Sequence, residues 1–472
     1  MALLGHTVDR REPVALDPEG RRQGTYVLGL NGTGKTTLLL NVALADMEAG
    51  DGLCVLDPHG DLTEDLLARV PAHREQDVIL FDPADVERPF GLNLFECTDP
   101  SDPMEVDLVC SEVVGTFYKL FYYSWGPQME DLLRNTTLTL IENPGSTMAD
   151  IPRLLTDKDY RARFTDNLRN QDVADFWHYT YDPLRTADQL AYNRSTLNKV
   201  RRFLLNTLIR NICGQETSSL GFRQIMDGGK IQLVNLSKGR LGEENAALLG
   251  SILVGKILIA ALSRAELGRE SRRPFHLIVD EYHSFATQSF PTLQAEARKY
   301  SIDTLCAHQY RDQLDELNQG STLNVGNLIL FRVSGKDSSE LATCFDNTPP
   351  EPELERQPAL YPTSREGVYR TGDRTEYVLI SGKRRLYADV AGERANQLAN
   401  LPNYCALCRL VESGGLVEHE LVALPPQGTI DQEQANRIRD RSRMTYGRPR
   451  QEVEAALAKR GALSLPQRAR YD

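Results

Sequence analysis

The chain has 472 residues, of which 41% are hydrophobic and 25% charged, and its formal net charge is -12. This composition is typical of a folded globular protein and excludes a disordered or fibrous chain. The length exceeds the ~250–300 residues at which one hydrophobic core stops growing, so we expect two or three modules. The negative net charge argues against a surface that is basic throughout and binds nucleic acid, although the net charge would not reveal an internal basic channel.

The N-terminal region shows no signal-peptide pattern, which predicts a cytoplasmic protein. The segment GHTVDRREPVAL, residues 5–16, has room for one or two strands. A short apolar strand follows, and then a glycine loop that leads into a helix, in TYVLGLNGTGKTTLLLNVALA, residues 25–45. This strand, loop and helix are the context that a phosphate-binding loop requires.

The glycine loop matches the G-x-x-x-x-G-K-[ST] motif in full. Glycines let the backbone wrap a phosphate closely, Lys35 neutralises the β- and γ-phosphates, and the Thr36 hydroxyl is a ligand for Mg²⁺. A dinucleotide-binding interpretation fails because Thr37 replaces the third glycine of G-x-G-x-x-G. The predicted nucleotide contacts are Gly29, Asn31, Gly32, Thr33, Gly34, Lys35, Thr36 and Thr37.

Two further apolar strands are predicted in DGLCVLDPHGDL, residues 51–62, and DVILFDP, residues 77–83. The first ends on Asp57, which is a second-rank candidate for the nucleotide site. Both strands are followed by turn-forming residues, as expected for strands of a parallel sheet.

A long stretch at about residues 98–212 has helical patterns, and its helix around 190–210 is strongly basic. Such a face suits DNA phosphates, and a solvated face or a contact between subunits is an equal alternative. For the aromatic residues of this stretch we favour core packing over base stacking. The DNA-contact candidates are Arg194, Lys199, Arg201 and Arg202, and the aromatic residues are Tyr122, Tyr123, Trp125 and Trp177.

The most apolar run, residues 246–262, contains Lys256. It falls short of the ~20 residues that span a bilayer, so we predict a buried helix and no transmembrane segment. The strand in PFHLIVDEYHSF, residues 274–285, ends in two acids. Asp280 is placed to hold Mg²⁺ and Glu281 to orient and activate the water that attacks the γ-phosphate. Two acids after a strand also suit a helix N-cap, which is the alternative.

The stretch IDTLCAHQY, residues 302–310, predicts a strand that ends abruptly on polar residues. A parallel strand beside the P-loop strand would carry Gln309 to the γ-phosphate, whereas the alternative is a glutamine that caps the next helix. GTPases lack this arrangement, and their base-reading NKxD motif is absent from the sequence. A ring-shaped ATPase needs an arginine that reaches the neighbour's γ-phosphate. We favour Arg298 for this role and keep Arg332 as a second candidate.

Beyond residue 346 a proline-rich segment predicts a linker. Alternating patterns in residues 376–391 and 403–424 predict strands of a small β element, with a turn at Gly414 and Gly415. Cys405 and Cys408 form a lone CxxC pair, which offers too few ligands for zinc, and their context favours a strand. From about residue 427 the chain is charged and helical, and solvated charge is the default interpretation of its arginines.

Together these motifs resemble the ATPases of type IV secretion, the TraG/TraD-like coupling proteins, within the HerA/FtsK superfamily of translocases. The resemblance covers most of residues 1–350 and depends on GLNGTGKTT, LDPHGDL, GGKIQLVNLSKGRLGEENAALLGSIL, LIVDEYHSF, EARKY, AHQY and NLILFRVSGKD. It implies an α/β, RecA-like P-loop ATPase with a mostly parallel sheet, an all-helical insertion and a small C-terminal β and helical extension. It also places the trans-acting arginine just ahead of the strand that ends in the sensor glutamine, here Arg298. The expected parts are the ATPase domain in two halves, 1–97 and 213–350, the insertion 98–212, a linker with a small β element 351–426, and a charged helical tail 427–472.

The function that the resemblance implies is a homohexamer that uses ATP and Mg²⁺ to translocate single- or double-stranded DNA. A secretion channel, a membrane anchor or a nuclease are the expected partners, and a partner would recruit the cytoplasmic ring to the inner face of the membrane. Two alternatives remain open: an ATPase that pumps or remodels protein substrates, and an assembly scaffold that nucleotide binding switches.

Overall fold

The computed structural model describes residues 1–349 and 386–460 in full, the backbone of residues 461–462, and four short strands between residues 354 and 381 by their backbone alone. The described strands form one large sheet and two small two-stranded sheets. In chain order they are β1 Ala2–Thr7, β2 Pro13–Leu16, β3 Thr25–Leu28, β4 Gly52–Asp57, β5 Val78–Phe81, β6 Ile231–Asn235, β7 Phe275–Val279, β8 Ile302–His308, β9 Asn327–Leu330, β10 Leu354–Pro358, β11 Leu360–Pro362, β12 Tyr369–Thr371, β13 Tyr377–Ser381, β14 Cys405–Glu412 and β15 Gly415–Ala423.

The large sheet has the strand order β2-β1-β15-β14-β9-β3-β8-β7-β4-β6-β5. The part of the sheet formed by β9, β3, β8, β7, β4, β6 and β5 is parallel. Strands β14, β15, β1 and β2 extend it beyond β9, and each of them pairs antiparallel with its neighbours. Strand β8 lies between the P-loop strand β3 and the acid-bearing strand β7. The prediction of a parallel strand beside the P-loop strand is therefore confirmed.

The α-helices among the described residues share the two faces of this sheet and the region between β5 and β6. In chain order they are α1 Pro18–Arg21, α2 Lys35–Ala49, α3 Asp61–Leu67, α4 Pro103–Phe121, α5 Pro127–Ile141, α6 Ile151–Thr156, α7 Lys158–Thr165, α8 Gln171–Asp175, α9 Thr186–Leu204, α10 Thr207–Cys213, α11 Phe222–Asp227, α12 Lys238–Leu241, α13 Glu243–Ser263, α14 Phe290–Glu296, α15 Glu316–Thr322, α16 Gly335–Leu341, α17 Tyr387–Asn400, α18 Gln432–Tyr446 and α19 Arg450–Ala462.

Strand β4 shows how the two faces are built, because successive side chains of a strand point to opposite sides. Leu53 and Val55 pack in one hydrophobic cluster with residues of α2, α3 and α18. Cys54 and Leu56 pack in another cluster with residues of α4 and α13. All six residues of β4 are buried, as expected for a central strand that is covered on both faces.

The region between β5 and β6 contains only helical elements from Pro103 to Cys213 in the described chain, and its helix α4 packs against α13 in the cluster that covers one face of the sheet. Helix α13 contains the apolar run that we predicted to be a buried helix, and most of its side chains are buried. Among the described residues, the stretch Glu243–Glu266 is the one helical segment whose length and apolar character would suffice to cross a membrane, and 72% of its most apolar window is buried inside the fold. Such a helix is common as the core helix of a soluble domain and is weak evidence for a membrane span.

The C-terminal strands differ from the expected small β element. Strands β14 and β15 form the predicted hairpin, with Glu412 paired to Gly415, but β14 also pairs with β9 and so joins the large sheet. Leu407 and Cys408 pair with Leu330 and Ile329, and this partner strand is remote in sequence. A local alternating pattern indicates a strand but carries no information about which strand lies next to it.

Among the described residues of the segment 376–391, β13 is a strand as predicted, but helix α17 begins at Tyr387, where the backbone N–H of Leu386 donates to the Asp389 carboxylate. The predicted linker contains strands β10 and β11. The rest of the linker prediction, between residues 350 and 385, lies outside the described residues, as do the last ten residues of the predicted tail.

Helix α18 covers the edge strand β5. The Ser442 hydroxyl accepts a hydrogen bond from the backbone N–H of Leu80, and an Arg441 N–H donates to the Val78 carbonyl, so side chains complete the free edge of the sheet. Arg437, Arg439 and Arg443 pair with Glu75, Glu64 and Asp85. The arginines of the predicted charged tail therefore attach this helix to α3 and to the segments on either side of β5, which corrects the expectation of a solvated face.

Candidate functional site

The P-loop lies at the carboxyl end of β3 and leads directly into α2. Gly34 has φ +119 and Gly32 has φ +73, a left-handed conformation that favours glycine. A Cβ atom at Gly29 would lie 2.6 Å from the Phe331 Cβ and 2.9 Å from the Thr33 Oγ1. Both distances are too short for a real contact, so this position needs glycine. No side chain caps α2 at Gly34. The first amide groups of the helix thus lack a side-chain partner, which is the arrangement that binds a phosphate.

Lys35 begins α2 and is only 6% exposed. Its Nζ donates to the carbonyl of Gly29 at 2.7 Å and to that of Leu30 at 3.2 Å, so the ammonium group lies against the loop. Burial lowers the pKa of Lys35, while the charges of Glu281 and Asp280 oppose this shift. Lys35 is therefore a buried cation close to two acids, as the motif predicts for a group that neutralises phosphate.

Asp280 and Glu281 directly follow β7, whose five residues are all buried. The Asp280 carboxylate accepts a hydrogen bond from the Glu281 backbone N–H at 2.9 Å. Burial, together with the charges of Glu281 and Asp57, raises the pKa of Asp280 to about 7. Glu281 has φ 45 and ψ 50, a left-handed conformation that is uncommon for a residue with a side chain and that often occurs at functional sites.

The Glu281 carboxylate has a hydrogen-bond partner on one oxygen and a histidine near the other. Gln309 Nε2 donates to Oε1 at 2.9 Å, and His283 Nδ1 lies 3.4 Å from Oε2. Burial would raise the pKa of Glu281, but the contacts with His283 and Gln309 and the charge of Lys35 outweigh it and lower the pKa to about 2. The group is therefore a charged carboxylate at neutral pH, which suits an acceptor for a proton from water.

The two polar residues at the end of β8 have different surroundings. His308 is fully buried, its Nε2 lies 2.7 Å from the hydroxyl of Tyr26 on β3, and burial lowers its pKa to about 3. A neutral histidine thus joins the ends of two neighbouring strands. Gln309 is the next residue and reaches Glu281. Its predicted contact with a γ-phosphate stays a prediction, whereas its place beside the acid is a property of the fold.

The two candidate arginines lie at opposite ends of the parallel strands, Arg298 before β8 and Arg332 after β9. Arg298 is exposed, its side chain has no hydrogen bond or ion pair to another described residue, and it precedes the amino end of β8. The seven residues of β8 separate it from the site by roughly 20 Å, so it is too far away to act on its own site. Arg332 is half-buried, and its guanidinium donates to Asn403 Oδ1 at 2.9 Å and to the Leu401 carbonyl at 3.4 Å.

Asp57 has a structural explanation. Its carboxylate accepts hydrogen bonds from the backbone N–H groups of His59 and Gly60, both at 2.9 Å, and of Thr63 at 2.8 Å. These bonds engage both oxygens and shape the turn between β4 and α3. We therefore remove Asp57 from the candidate ligands, although its charge contributes to the raised pKa of Asp280.

The residues fit a magnesium ion. Thr36 is exposed at the start of α2 and offers a hydroxyl, and Asp280 offers carboxylate oxygens beside Glu281. Burial and the charges of Glu281 and Asp57 raise the pKa of Asp280, and a divalent cation would favour its charged form. Mg²⁺ commonly binds through one or two protein ligands, water and substrate phosphates, so a hydroxyl and a carboxylate would suffice as its protein ligands.

The DNA-contact candidates on α9 divide into two groups. Lys199 is buried, and its ammonium group donates to Ser195 Oγ at 2.8 Å, which corrects its assignment as a DNA contact. Arg202 pairs with Glu244 at 2.5 Å. Arg194 and Arg201 are exposed and have no ion pair among the described residues. Helical periodicity alone did not identify the buried face of this basic helix.

The aromatic residues also divide. Trp177 is buried, with its Nε1 donating to Thr139 Oγ1, so core packing is confirmed there. Tyr122 and Tyr123, by contrast, are 59% and 101% exposed at the end of α4, which corrects the expectation that they pack in the core. Lys199 also reaches the Ser124 carbonyl at 3.4 Å, so α9 lies next to this exposed pair.

Sequence reasoning missed several residues around the site. His283 had a signal, because it lies two residues after Glu281 in the DEYH segment. Lys119 of α4 donates to the carbonyls of His283 and Ala286 at 2.9 and 2.7 Å, and no sequence pattern indicates this contact. Tyr404 lies beside the P-loop, where its backbone N–H donates to the Thr33 carbonyl at 2.7 Å. Both of these residues are remote in sequence from their partners.

No protein-family model and no curated protein sequence matches the chain. Solved structures do share its fold. The plasmid coupling protein TrwB in complex with the non-hydrolysable GTP analogue GDPNP superposes with a TM-score of 0.60 at 16% identity, over 92% of each chain. TrwB with ADP and Mg²⁺ gives a TM-score of 0.57 at 16% identity, over 91% of this chain and 92% of that chain. VirB4 of Thermoanaerobacter pseudethanolicus gives 0.50 at 13% identity, over 92% of this chain and 97% of that chain. The prediction of a coupling-protein-like, RecA-type P-loop fold is confirmed.

Proposed function

We propose that the protein is an ATP-hydrolysing motor that moves DNA, as a coupling protein of a type IV secretion system does. The observation that carries this proposal is the contact between Gln309 and Glu281. It joins the strand next to the P-loop strand to the acid after β7, beside a P-loop that is complete in sequence. This is an arrangement for hydrolysis that depends on the γ-phosphate.

Each residue of the site then has a role. Lys35 and the amide groups of the P-loop bind the phosphates, and Thr36 and Asp280 hold Mg²⁺, which neutralises phosphate charge when it is bound. Glu281 orients the attacking water and accepts its proton. Gln309 exchanges its bond to Glu281 for one to the γ-phosphate. The TrwB structures with ADP and Mg²⁺ or with the ATP analogue ADPNP support ATP and Mg²⁺ as the ligands here.

The polymer is proposed to be DNA, and the assembly a homohexamer. TrwB is a conjugative coupling protein, and the shared fold supports a similar role for this chain. The exposed position of Arg298, away from its own site, suits a residue that reaches a neighbour's nucleotide. Arg194, Arg201, Tyr122 and Tyr123 offer cations and aromatic rings on adjacent elements, a combination that binds single-stranded nucleic acid. We place the ring in the cytoplasm, recruited to a membrane by a secretion-system partner.

A polypeptide substrate is the second candidate, because the Tyr122 and Tyr123 rings would also contact apolar side chains and because the net charge is -12. A scaffold that only binds nucleotide is disfavoured, since it has no use for a charged carboxylate held beside the P-loop. The two motor functions differ in their salt dependence. DNA binding releases counterions and weakens as salt rises, whereas binding through apolar contacts does not.

The direct test of the ATPase compares nucleotide binding and steady-state hydrolysis in three variants. We expect Lys35→Ala to lose ATP binding, and Glu281→Gln to keep ATP binding while hydrolysis falls at least about a hundredfold. Glu316→Gln, an exposed acid in the first turn of α15, is the matched control and should behave as the original chain does. Near-normal turnover by Glu281→Gln, or tight ATP binding by Lys35→Ala, would overturn the proposal.

A further inference from the structure

The position of the P-loop strand decides where the nucleoside end of a bound nucleotide lies. Strand β3 has β8 on one side and β9 on the other. Asp280, Glu281 and Gln309, the groups assigned to the γ-phosphate and its metal, all follow strands on the β8 side. A triphosphate that wraps the P-loop with its γ-phosphate towards these groups therefore directs its nucleoside towards the β9 side.

The segment between α17 and β14 occupies that side and is tied to the P-loop. The backbone N–H of Tyr404 donates to the Thr33 carbonyl at 2.7 Å. The backbone N–H of Leu30 donates to the Arg332 carbonyl at 2.8 Å, and the Arg332 guanidinium donates to Asn403 Oδ1 and the Leu401 carbonyl. Arg332 thus connects the loop after β9 to residues 401–403. We assign its side chain this structural role instead of a trans-acting one.

The Tyr404 ring is placed unusually for a surface side chain. It is 50% exposed, its backbone has φ 64, and its Cδ1 lies 3.0 Å from the position that a Cβ at Gly34 would occupy. A residue with a side chain persists in the left-handed conformation only where its surroundings hold it there, and such residues are frequent at ligand sites. Among the described residues no other aromatic ring or cation stacks on Tyr404. The loop therefore presents one free aromatic face beside the P-loop.

We propose that the Tyr404 ring is the platform on which the base of the bound nucleotide stacks, and that Arg332 and Asn403 hold the loop that carries it. This inference rests on the proposed nucleotide site. Stacking uses the face of a base and reads none of its edge groups, so the site accepts either purine. ATP and GTP are expected to bind with affinities that differ by less than about threefold, since neither base gains a specific hydrogen bond from a ring face.

The test measures binding of ATP and of inorganic tripolyphosphate to the full chain, by calorimetry, in the original protein and in variants. Tripolyphosphate has the phosphates but no base. We expect Tyr404→Ala to weaken ATP binding on the order of tenfold and to leave tripolyphosphate binding unchanged, because stacking on an aromatic ring is lost and the P-loop is kept. Tyr404→Phe keeps the ring and should bind ATP as the original does.

Two controls separate this inference from the proposed function. Tyr179→Ala removes a ring that is 70% exposed in the helical insertion and should change neither affinity. Lys35→Ala should weaken both ligands. If the original chain binds no ATP, or Lys35→Ala binds both ligands normally, the proposed nucleotide site itself fails. If Lys35→Ala weakens both ligands but Tyr404→Ala leaves ATP affinity unchanged, or weakens both ligands equally, only the base platform is overturned.

Discussion

Gln309 donates a hydrogen bond to Glu281 in the structure, and the proposed mechanism also needs it at the γ-phosphate. The amide nitrogen has two N–H donors, so a bond to the γ-phosphate would form beside the bond to Glu281 or replace it, and in either case the glutamine links the phosphate to the carboxylate. His283 Nδ1 lies 3.4 Å from the other oxygen, without a hydrogen bond. The acid is therefore held through Gln309, and a ligand that engages this amide changes the surroundings of the carboxylate.

Replacing Gln309 by alanine removes this link. We expect kcat to fall by about a hundredfold, as when one preorganised donor is lost from an active site, with the Kd for ATP changed less than about threefold. Single-turnover hydrolysis and equilibrium binding measure the two quantities. Gln432→Ala, an exposed glutamine at the start of α18, is the control. A Gln309→Ala variant that turns over normally would show that the contact with Glu281 has no catalytic role.

A second residue-scale prediction concerns His276, which is buried at the amino ends of the strands. Its Nδ1 lies 2.7 Å from Asp303, whose other oxygen pairs with Arg21, and Asp46 and Asp51 also face the cluster. Burial lowers the pKa of His276, but Asp303 and Asp46 raise it to about 9. The folded-state pKa thus lies above the ordinary value of about 6.5.

Protonated His276 therefore stabilises the fold fully below pH ~6.5, and this contribution is lost as the pH rises through about 9. We expect it to be on the order of 3 kcal/mol at most. In urea unfolding at pH 6 and pH 9.5, the original chain should lose more stability between the two pH values than His276→Gln does. Equal losses in both proteins would show that the histidine is not charged in the fold.

At the scale of elements, helix α4 connects the helical insertion to the catalytic loop. Lys119 donates to the carbonyls of His283 and Ala286, and Glu112 accepts a hydrogen bond from Ser289 at 2.8 Å. The same helix ends next to the exposed Tyr122 and Tyr123. A polymer bound at this end would act on the loop that follows Glu281 through a rigid element.

Lys119→Met tests this connection. The substitution leaves two carbonyls of the loop without their donor, which costs about 1–3 kcal/mol where they are buried and loosens the segment after Glu281. We predict that kcat falls on the order of tenfold while the Kd for ATP is unchanged. Lys158→Met, an exposed lysine of the same insertion, is the control. Equal kcat values for the two variants would rule out the connection.

The sequence predicts those parts of the site that local patterns define. The P-loop, the acids after β7 and the glutamine after β8 each follow a short apolar strand, and the order of parallel strands brings their ends together. It does not predict contacts between remote segments. Lys119 against His283, Tyr404 against Thr33, and β14 beside β9 each join residues that are far apart in the chain. Lys199 shows the same limit, because only packing decides which face of a basic helix is buried.

At the scale of the whole molecule, a single chain has an incomplete site if Arg298 acts in trans. The arginine is exposed at the sheet edge opposite to its own P-loop, so its action requires a second copy. We predict that Arg298→Ala lowers hydrolysis by on the order of a thousandfold, as is typical for the loss of an arginine that contacts the γ-phosphate. Lys299→Ala, the exposed neighbour that pairs with Glu296, should stay active.

Mixing two inactive variants tests the trans role directly. Lys35→Ala subunits have no nucleotide site but keep the arginine, and Arg298→Ala subunits have the site but lack the arginine. Mixed assemblies should recover measurable hydrolysis, because some interfaces combine both intact parts. Absence of recovery in mixtures that assemble normally would place the role of Arg298 within its own chain or in the fold.

The central claim is that ATP hydrolysis serves the movement of DNA. Its most direct test is steady-state hydrolysis by the purified protein with and without single- and double-stranded DNA, across a salt series, with Glu281→Gln as the blank. We predict that DNA stimulates hydrolysis and that the stimulation fades as salt rises, since phosphate contacts release counterions. Hydrolysis that is indifferent to both forms of DNA at every salt concentration would contradict a DNA motor.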